Sequence, residues 1–310
     1  MNGGKVLVIG SATTDILIPV SHIPVRSEDV NVYEQHLSLG GCAFNVCDSI
    51  LHFGVPCIPF LPVGRGVYGD FVRSELKKRG IRTRAPEPSA ENGCCYCLVE
   101  PDGERTFICY HGAEYFFRPE WFRELEDSGL GREIDSVYIC GLEIEEPSGV
   151  YIIEFLERHP EYLVYFAPSS RICMIAPGKM ERILNLAPIL HLNREEACAY
   201  TGCSGEEEAA LQLHRRTGNT VLVTLGAEGC RLTGNRDDGS FVNERIPAFP
   251  VSNIVDTVGA GDSHIGSFIA LRQLGEDLPE AVRKANRVSA AVVGTSGALL
   301  AHETFLTLDL

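Results

Sequence analysis

The chain lacks any apolar run approaching the length of a membrane span. Positive charge is short as well: 27 Lys+Arg stand against 42 Asp+Glu, a formal net charge of -15. A balance of that sign argues against nucleic acid or an anionic membrane surface as partner. An anionic substrate would have to be drawn in by local dipoles and a few arginines, against the field of the whole molecule. MNGGKVLVIG runs straight into a strand, with no apolar leader core or cleavage site. Twelve cysteines are present, yet CCYC (Cys94, Cys95, Cys97) and the Cys42/Cys47 pair lack the doubled C-x-x-C spacing of a zinc site. They are read as buried, reduced thiols, and a cytoplasmic compartment is expected. Internal repeats, low-complexity tracts and linkers are missing too. VLVIGSATTD lacks the second and third glycines of a dinucleotide fingerprint, which argues against an NAD-binding protein. What remains, at 45% hydrophobic and 22% charged residues, is globular composition with material for a large core.

The positive signals begin with alternation. Short apolar strands are expected at KVLVIG (5–10), SVYICG (136–141), LVYFA (163–167), PILHLN (188–193) and TVLVTLG (220–226). Helical patterns fall between and after them, at 45–54, 69–80, 149–159, 194–202, 206–218 and 278–297. Strand alternating with helix predicts an α/β fold: a doubly wound, mostly parallel sheet flanked by helices, in a single domain over 1–310. Two segments, 14–41 and 93–112, read instead as extended strands, and PDGER (101–105) is a hairpin turn signal. They are expected to form a small β-sheet lid over the C-terminal edge of the large sheet, where such folds bind ligands.

DTVGAGDSHIGSF (256–268) carries two glycines and two acids where an apolar helix begins, with Ile265, Phe268, Ile269 and Leu271 spaced like its inner face. Glycines at a helix mouth let backbone N–H groups approach an anion, and the helix dipole favours negative charge there. Asp262 would repel that anion, unless it takes a proton from a nucleophile attacking it. The alternative is a glycine-rich turn with Asp262 as a helix cap. The local pattern leaves both open.

Four segments in order resemble the ribokinase-like (PfkB-type) carbohydrate kinases: LGGCAFNVC (39–47), LNREEACAYTG (192–202), VLVTLGAEGC (221–230) and DTVGAGDS (256–263). GGCAFN and EPDGERTF are most similar, within that family, to the YegV-like sugar kinases. The resemblance implies transfer of the γ-phosphate of ATP to a hydroxyl, often the CH2OH of a sugar. It implies that Asp262 is the general base and that the N–H groups of Gly259, Ala260 and Gly261 form the anion hole; such positioning and charge stabilisation are what phosphoryl transfer needs. Asp15, Asn45, Gly40 and Gly41 match the sugar contacts, and Asn193 with Glu196 match the pair that organises Mg2+ through water. The alternative for the latter two is a helix N-cap followed by a surface acid. Thr224, Gly226, Gly229 and Asn286 match nucleotide contacts. Asp256 and Val258, completed by Val293, Ser296 and Gly297, match a monovalent-cation site expected to take K+.

This sequence also departs from the family pattern. Cys42 stands where ribokinases carry a lysine, and Thr13 replaces a frequent asparagine, so ribose itself is not implied. In FAPSSR (166–171) Ala167 and Ser169 replace Asp and Asn, and only Arg171 matches. Arg171, and Arg105 in the lid, could each reach an acidic or phosphorylated substrate, or be solvated surface arginines. His264 is read as a packing residue. A nucleoside kinase of the same family is the alternative acceptor class, and a catalytically silent nucleotide-binding regulator the alternative of another class. The lid carries apolar residues on both faces (Ile16, Ile18, Val32, Leu98, Val99, Phe107, Ile108), so a homodimer through the lids is expected.

Overall fold

Along Lys5–Ile9 the side chains alternate between two destinations: Val6 and Val8 enter one hydrophobic cluster, Leu7 and Ile9 another. A strand buried on both faces belongs inside a parallel sheet covered by helices on both sides. The computed structural model, which describes residues 4–101 and 103–310, has that arrangement. In chain order its strands are β1 (Lys5–Ile9), β2 (Thr13–Pro19), β3 (His36–Gly40), β4 (Cys57–Phe60), β5 (Cys94–Val99) and β6 (Arg105–Tyr110), then β7 (Ile134–Cys140), β8 (Leu163–Ala167), β9 (Ile189–Asn193), β10 (Val221–Thr224), β11 (Cys230–Asn235) and β12 (Phe241–Ile246). One sheet has the order β12-β11-β10-β9-β8-β7-β1-β4, and a second, separate sheet the order β3-β2-β5-β6. From β4 to β10 the large sheet is parallel, and β11 and β12 extend it antiparallel.

The helices are α1 (Cys42–His52), α2 (Gly66–Lys78), α3 (Pro119–Asp127), α4 (Gly141–Glu145), α5 (Gly149–Arg158), α6 (Pro177–Asn185), α7 (Arg194–Thr201), α8 (Glu206–Thr217), α9 (Ala260–Gln273), α10 (Leu278–Val293) and α11 (His302–Leu306). Residues of α1, α2, α9 and α10 share the cluster of Val6 and Val8; those of α3, α5, α6, α7 and α8 share that of Leu7 and Ile9. None of the helices among the described residues is long and apolar enough to cross a membrane.

Several elements differ from the sequence reading. CIPF was not among the expected strands; β4 tolerates Pro59, which removes a ladder donor, because it is the edge strand. The 14–41 segment is two strands separated by a stretch without regular structure, 20–35. The 93–112 segment is the expected hairpin, with β5 and β6 paired antiparallel. Asp102 of its turn lies outside the described residues. Helix α9 has no single inner face: every residue from Ser263 to Leu271 is buried. The cysteines are all free, but only Cys47, Cys94, Cys97, Cys140 and Cys230 are buried, while Cys109 and Cys173 are exposed.

Candidate active site

The turn into α9 is set by Gly259, the N-cap, at φ 76°. A Cβ there would sit 2.4 Å from the Ala298 carbonyl, so only glycine fits. No side chain caps this helix. Its first N–H groups therefore lack the acceptors that a cap would supply, and that of Ala260 reaches Thr257 O only at 3.4 Å. Asp262 is the third helical residue and is not the cap. Its Oδ2 accepts a hydrogen bond from Asn45 Nδ2 of α1 at 2.8 Å. Burial pushes the Asp262 carboxyl up to about 6, against the pull of the Asn45 amide and the Cys42 thiol.

The same turn borders two cavities. Thr257, Ala260 and Gly261 line one of about 450 Å³, together with Thr224, Gly226, Gly229, Phe249 and Asn286. Val258 lines the other, about 320 Å³, under the small sheet with Asp15, Ser38, Arg105 and Phe107. Along β2, β5 and β6 the strand alternation turns Asp15, Cys97, Arg105 and Phe107 towards this second cavity.

In the second cavity Asp15 Oδ1 accepts from Thr13 Oγ1 at 3.0 Å. Burial first, and the charge of Asp262 after it, push Asp15 up to about 6 despite that bond and Arg105. A Cβ on Gly40 would lie 1.9 Å from Asp15 Oδ2, so the bare backbone of β3 closes on the carboxylate. Gly41, at φ 102°, opens α1 and thereby points Asn45 at Asp262. Asn45 Oδ1 is buried without a partner.

One residue escaped the sequence reading. Glu143, in α4 just past β7, is fully buried; its Oε1 accepts from Ser11 N at 2.8 Å and its Oε2 has no partner. Burial pushes it up to about 7. The signal was available: CGLEIEE puts a carboxylate directly after a buried strand, at the C-terminal edge of a parallel sheet.

In the first cavity Thr224, Asn286 and His264 are committed to the protein. Thr224 Oγ1 donates to Leu192 O at 3.3 Å. Asn286 Nδ2 donates to the carbonyls of Ile246 and Pro247, so its Oδ1 must accept from His264 Nε2, 3.1 Å away. His264 Nδ1 then accepts from His191 Nε2 at 3.0 Å. Burial lowers His264 to about 4 and pushes His191 well below its ordinary value, so both rings are neutral spacers. His264 packs, as expected.

Other expected residues lie elsewhere. Asn193 and Glu196 line neither cavity; they form a complete capping box at the start of α7, with Asn193 Oδ1 accepting from Glu196 N at 2.7 Å. Arg171 also lines neither and lies 3.4 Å from Glu145 in an ion pair. Arg105 lines the second cavity but is not free for a substrate: its Nη2 donates to Asp256 Oδ2 at 2.5 Å.

That contact bears on the expected cation site. Asp256 Oδ2 also accepts from Gly297 N at 2.8 Å, and Oδ1 accepts from Val258 N at 3.0 Å. The Val293 carbonyl accepts from both Val255 N and Asp256 N, at 2.9 and 3.2 Å. With Asp256 and Val293 so occupied, and a guanidinium already on the carboxylate, these residues do not fit a monovalent cation. Ser296 and Gly297 remain at the edge of the second cavity.

The fold has counterparts among known proteins. The pfkB family of carbohydrate kinases matches residues 4–304. The uncharacterised sugar kinase YegV of Escherichia coli is 32% identical over 297 residues, covering 94% of this chain and 89% of that protein. Ribokinase of Thermotoga maritima has the same fold, with a TM-score of 0.81 at 23% identity over 98% of each chain. Ribokinase of Arabidopsis thaliana, solved with ribose and ATP, has a TM-score of 0.77 at 19% identity, covering 99% of this chain and 98% of that one.

Proposed function

Since this chain belongs to the pfkB family of carbohydrate kinases, we propose that it moves the γ-phosphate of ATP to a hydroxyl of a sugar or sugar-like molecule. The observation that carries this reading is the shared turn: one helix mouth, rich in N–H donors, borders both cavities, with the Asp262 carboxyl on its first turn. ATP occupies the larger cavity, its ring against Phe249 and its phosphates directed at Ala260 and Gly261. The acceptor lies under the small sheet, its hydroxyls held by Asp15, Asn45, Glu143 and the Gly40–Gly41 backbone.

Asp262 takes the proton from the acceptor hydroxyl as its oxygen attacks the γ-phosphorus. The bond from that phosphorus to the β-phosphate oxygen breaks, and ADP leaves. The N–H groups of Gly259, Ala260 and Gly261 hold the phosphoryl oxygens as charge redistributes, so little reorganisation is needed. Glu196 Oε1 and Oε2 each accept one hydrogen bond, at 3.0 Å, and each keeps a lone pair for a metal-bound water. Through such waters Glu196 would hold Mg2+, which would supply neutralisation of the phosphate charge.

A coupled ADP-release assay across sugars, sugar acids and nucleosides tests this. ADP release stimulated by a sugar or sugar acid is the expected result. Stimulation by nucleosides alone, or by none of them, would overturn it.

The small sheet also supports pairing of two copies. Ile108 and Tyr110, two apart on β6 and so on one face, are 57% and 54% exposed. A second copy's lid would cover them. Light scattering at micromolar protein should give twice the chain mass; a monomer removes this part.

A further inference from the structure

The Asp256–Arg105 pair is the most buried ion pair around the two cavities, with side-chain exposures of 2% and 17%. It joins three separate parts of the fold. Arg105 is the first residue of β6, directly after the hairpin turn of the small sheet. Asp256 heads the turn that leads to the helix mouth, and Gly297, bonded to the same oxygen, belongs to the segment after α10. Cys97 Sγ, on the neighbouring strand, lies 3.8 Å from Arg105 Nη1 and accepts a further bond from it. Burying an ionised carboxylate is costly unless a positive partner offsets it, and here the chain brings its own.

We infer that Arg105 takes the place of a monovalent cation: its guanidinium neutralises Asp256 and holds the 256–258 turn, making Arg105 a positioning residue for the anion hole. The inference builds on the reading of Gly259–Gly261 as that hole. Asp256 Oδ1 fixes Val258 N, one residue before Gly259, so the direction in which the next N–H groups point depends on how this carboxylate is held. A diffusible ion would hold it whatever the lid does. A guanidinium carried by the lid hairpin holds it only when the small sheet sits down on the second cavity. Lid engagement and assembly of the hole thereby become one event, and the enzyme has no need of K+.

The test compares thermal unfolding in KCl and in tetramethylammonium chloride at equal ionic strength, for wild type, Arg105→Ala, Arg105→Gln and Arg105→Lys. Wild type should show the same Tm in both salts, within about 1 °C. Arg105→Ala should unfold at lower temperature in tetramethylammonium and recover about 2–4 °C in K+, which now enters the vacated position. Arg105→Gln, closer in size, should behave as the alanine variant does and serves if that variant fails to fold. Arg105→Lys should remain insensitive to K+, because it keeps the charge. Affinity for Mg2+ with a non-hydrolysable ATP analogue should follow the same pattern, which loss of packing alone would not produce. A K+-specific rise in the wild-type Tm overturns the inference, as does absence of a K+ response in both neutral variants. These readouts involve no turnover. Failure of the catalytic reading would show instead as near-normal turnover in Asp262→Asn, with the ion responses unchanged.

Discussion

The cavity beside Phe249 and the cavity under the small sheet share a wall, and their polar atoms are in opposite states. On the Phe249 side three polar side chains are engaged with the protein: Thr224 with a carbonyl, Asn286 with two carbonyls and His264, and His264 with His191. A ligand there meets apolar surface and backbone, which suits a flat ring and a phosphate tail. Under the small sheet, and at the strand ends beside it, atoms remain to be paired. Asn45 Oδ1 and Glu143 Oε2 have no partner, and burial raises Asp15, Asp262 and Glu143 alike. Unpaired buried acceptors are costly, so a ligand supplying several hydroxyls relieves them, and one lacking those hydroxyls is rejected. On the proposed function the nucleotide side would thus be generic in its chemistry, and discrimination would belong to the acceptor side.

The sharpest way to break this contrast is Asp262→Asn. The introduced amide keeps the shape but cannot accept the acceptor's proton, so kcat should fall by about 10²–10⁴-fold. Nucleotide affinity, measured by calorimetry, should hold or improve, because a negative charge beside the phosphates has gone. Near-normal turnover would remove the base from this account.

Asp15→Asn acts chiefly on the acceptor side. A lost charge-assisted hydrogen bond costs roughly 1.5–3 kcal/mol, so kcat/KM for the acceptor should drop about 10–150-fold. KM for ATP should move less than about twofold. An equal loss on both substrates would mean that the two cavities are not chemically separate.

The pH profile separates them by a smaller factor. Asp262 titrates at about 6 and must be ionised to act as base, so kcat/KM should fall about tenfold per pH unit below that value. Nucleotide affinity should show no histidine step between pH 5 and about 8, since His264 is held down to about 4 and His191 well below its ordinary range. A step near pH 6 that persists in Asp262→Asn, beyond the titration of the nucleotide itself, would show that the buried pair does titrate.

The same contrast explains what could be read from the sequence. The parallel strands were legible because burial on both faces makes them continuous apolar runs, and the turn into α9 because its glycines are clustered. Asp15, Asn45 and Asp262 stood in recognisable motifs, and the structure brings them close together. Glu143 did not: CGLEIEE marks an acid after a buried strand but offers three of them, and only the end of β7 beside β1 makes Glu143 the interior one. Arg105 was noticed, but its partner lies 151 positions away, and no spacing rule joins a hairpin to the turn before α9. Pairings across the fold are where pattern reading stops.

The smallest expected effect is on stability, and its sign follows from the raised carboxyl. Asp262 moves from an ordinary 3.8 to about 6 in the folded chain, chiefly through burial. Between those values the folded state holds a proton that the unfolded state has released. The cost of keeping the ionised group buried is therefore fully present above pH 6, shrinks as pH falls through 6, and is gone below the unfolded value. A shift of about two pH units corresponds to roughly 3 kcal/mol at most. The helix dipole acts on the group as well, and losing that favourable contact on substitution returns about 0.3–1 kcal/mol. Asp262→Asn should accordingly melt a few degrees higher than wild type at pH 8, about 2–4 °C for each kcal/mol retained. The advantage should shrink towards pH 5, where the wild-type carboxyl is itself protonated. Calorimetry at the two pH values decides. A variant less stable than wild type at pH 8, or an advantage that does not change with pH, would mean that the ionised Asp262 is not strained by its burial.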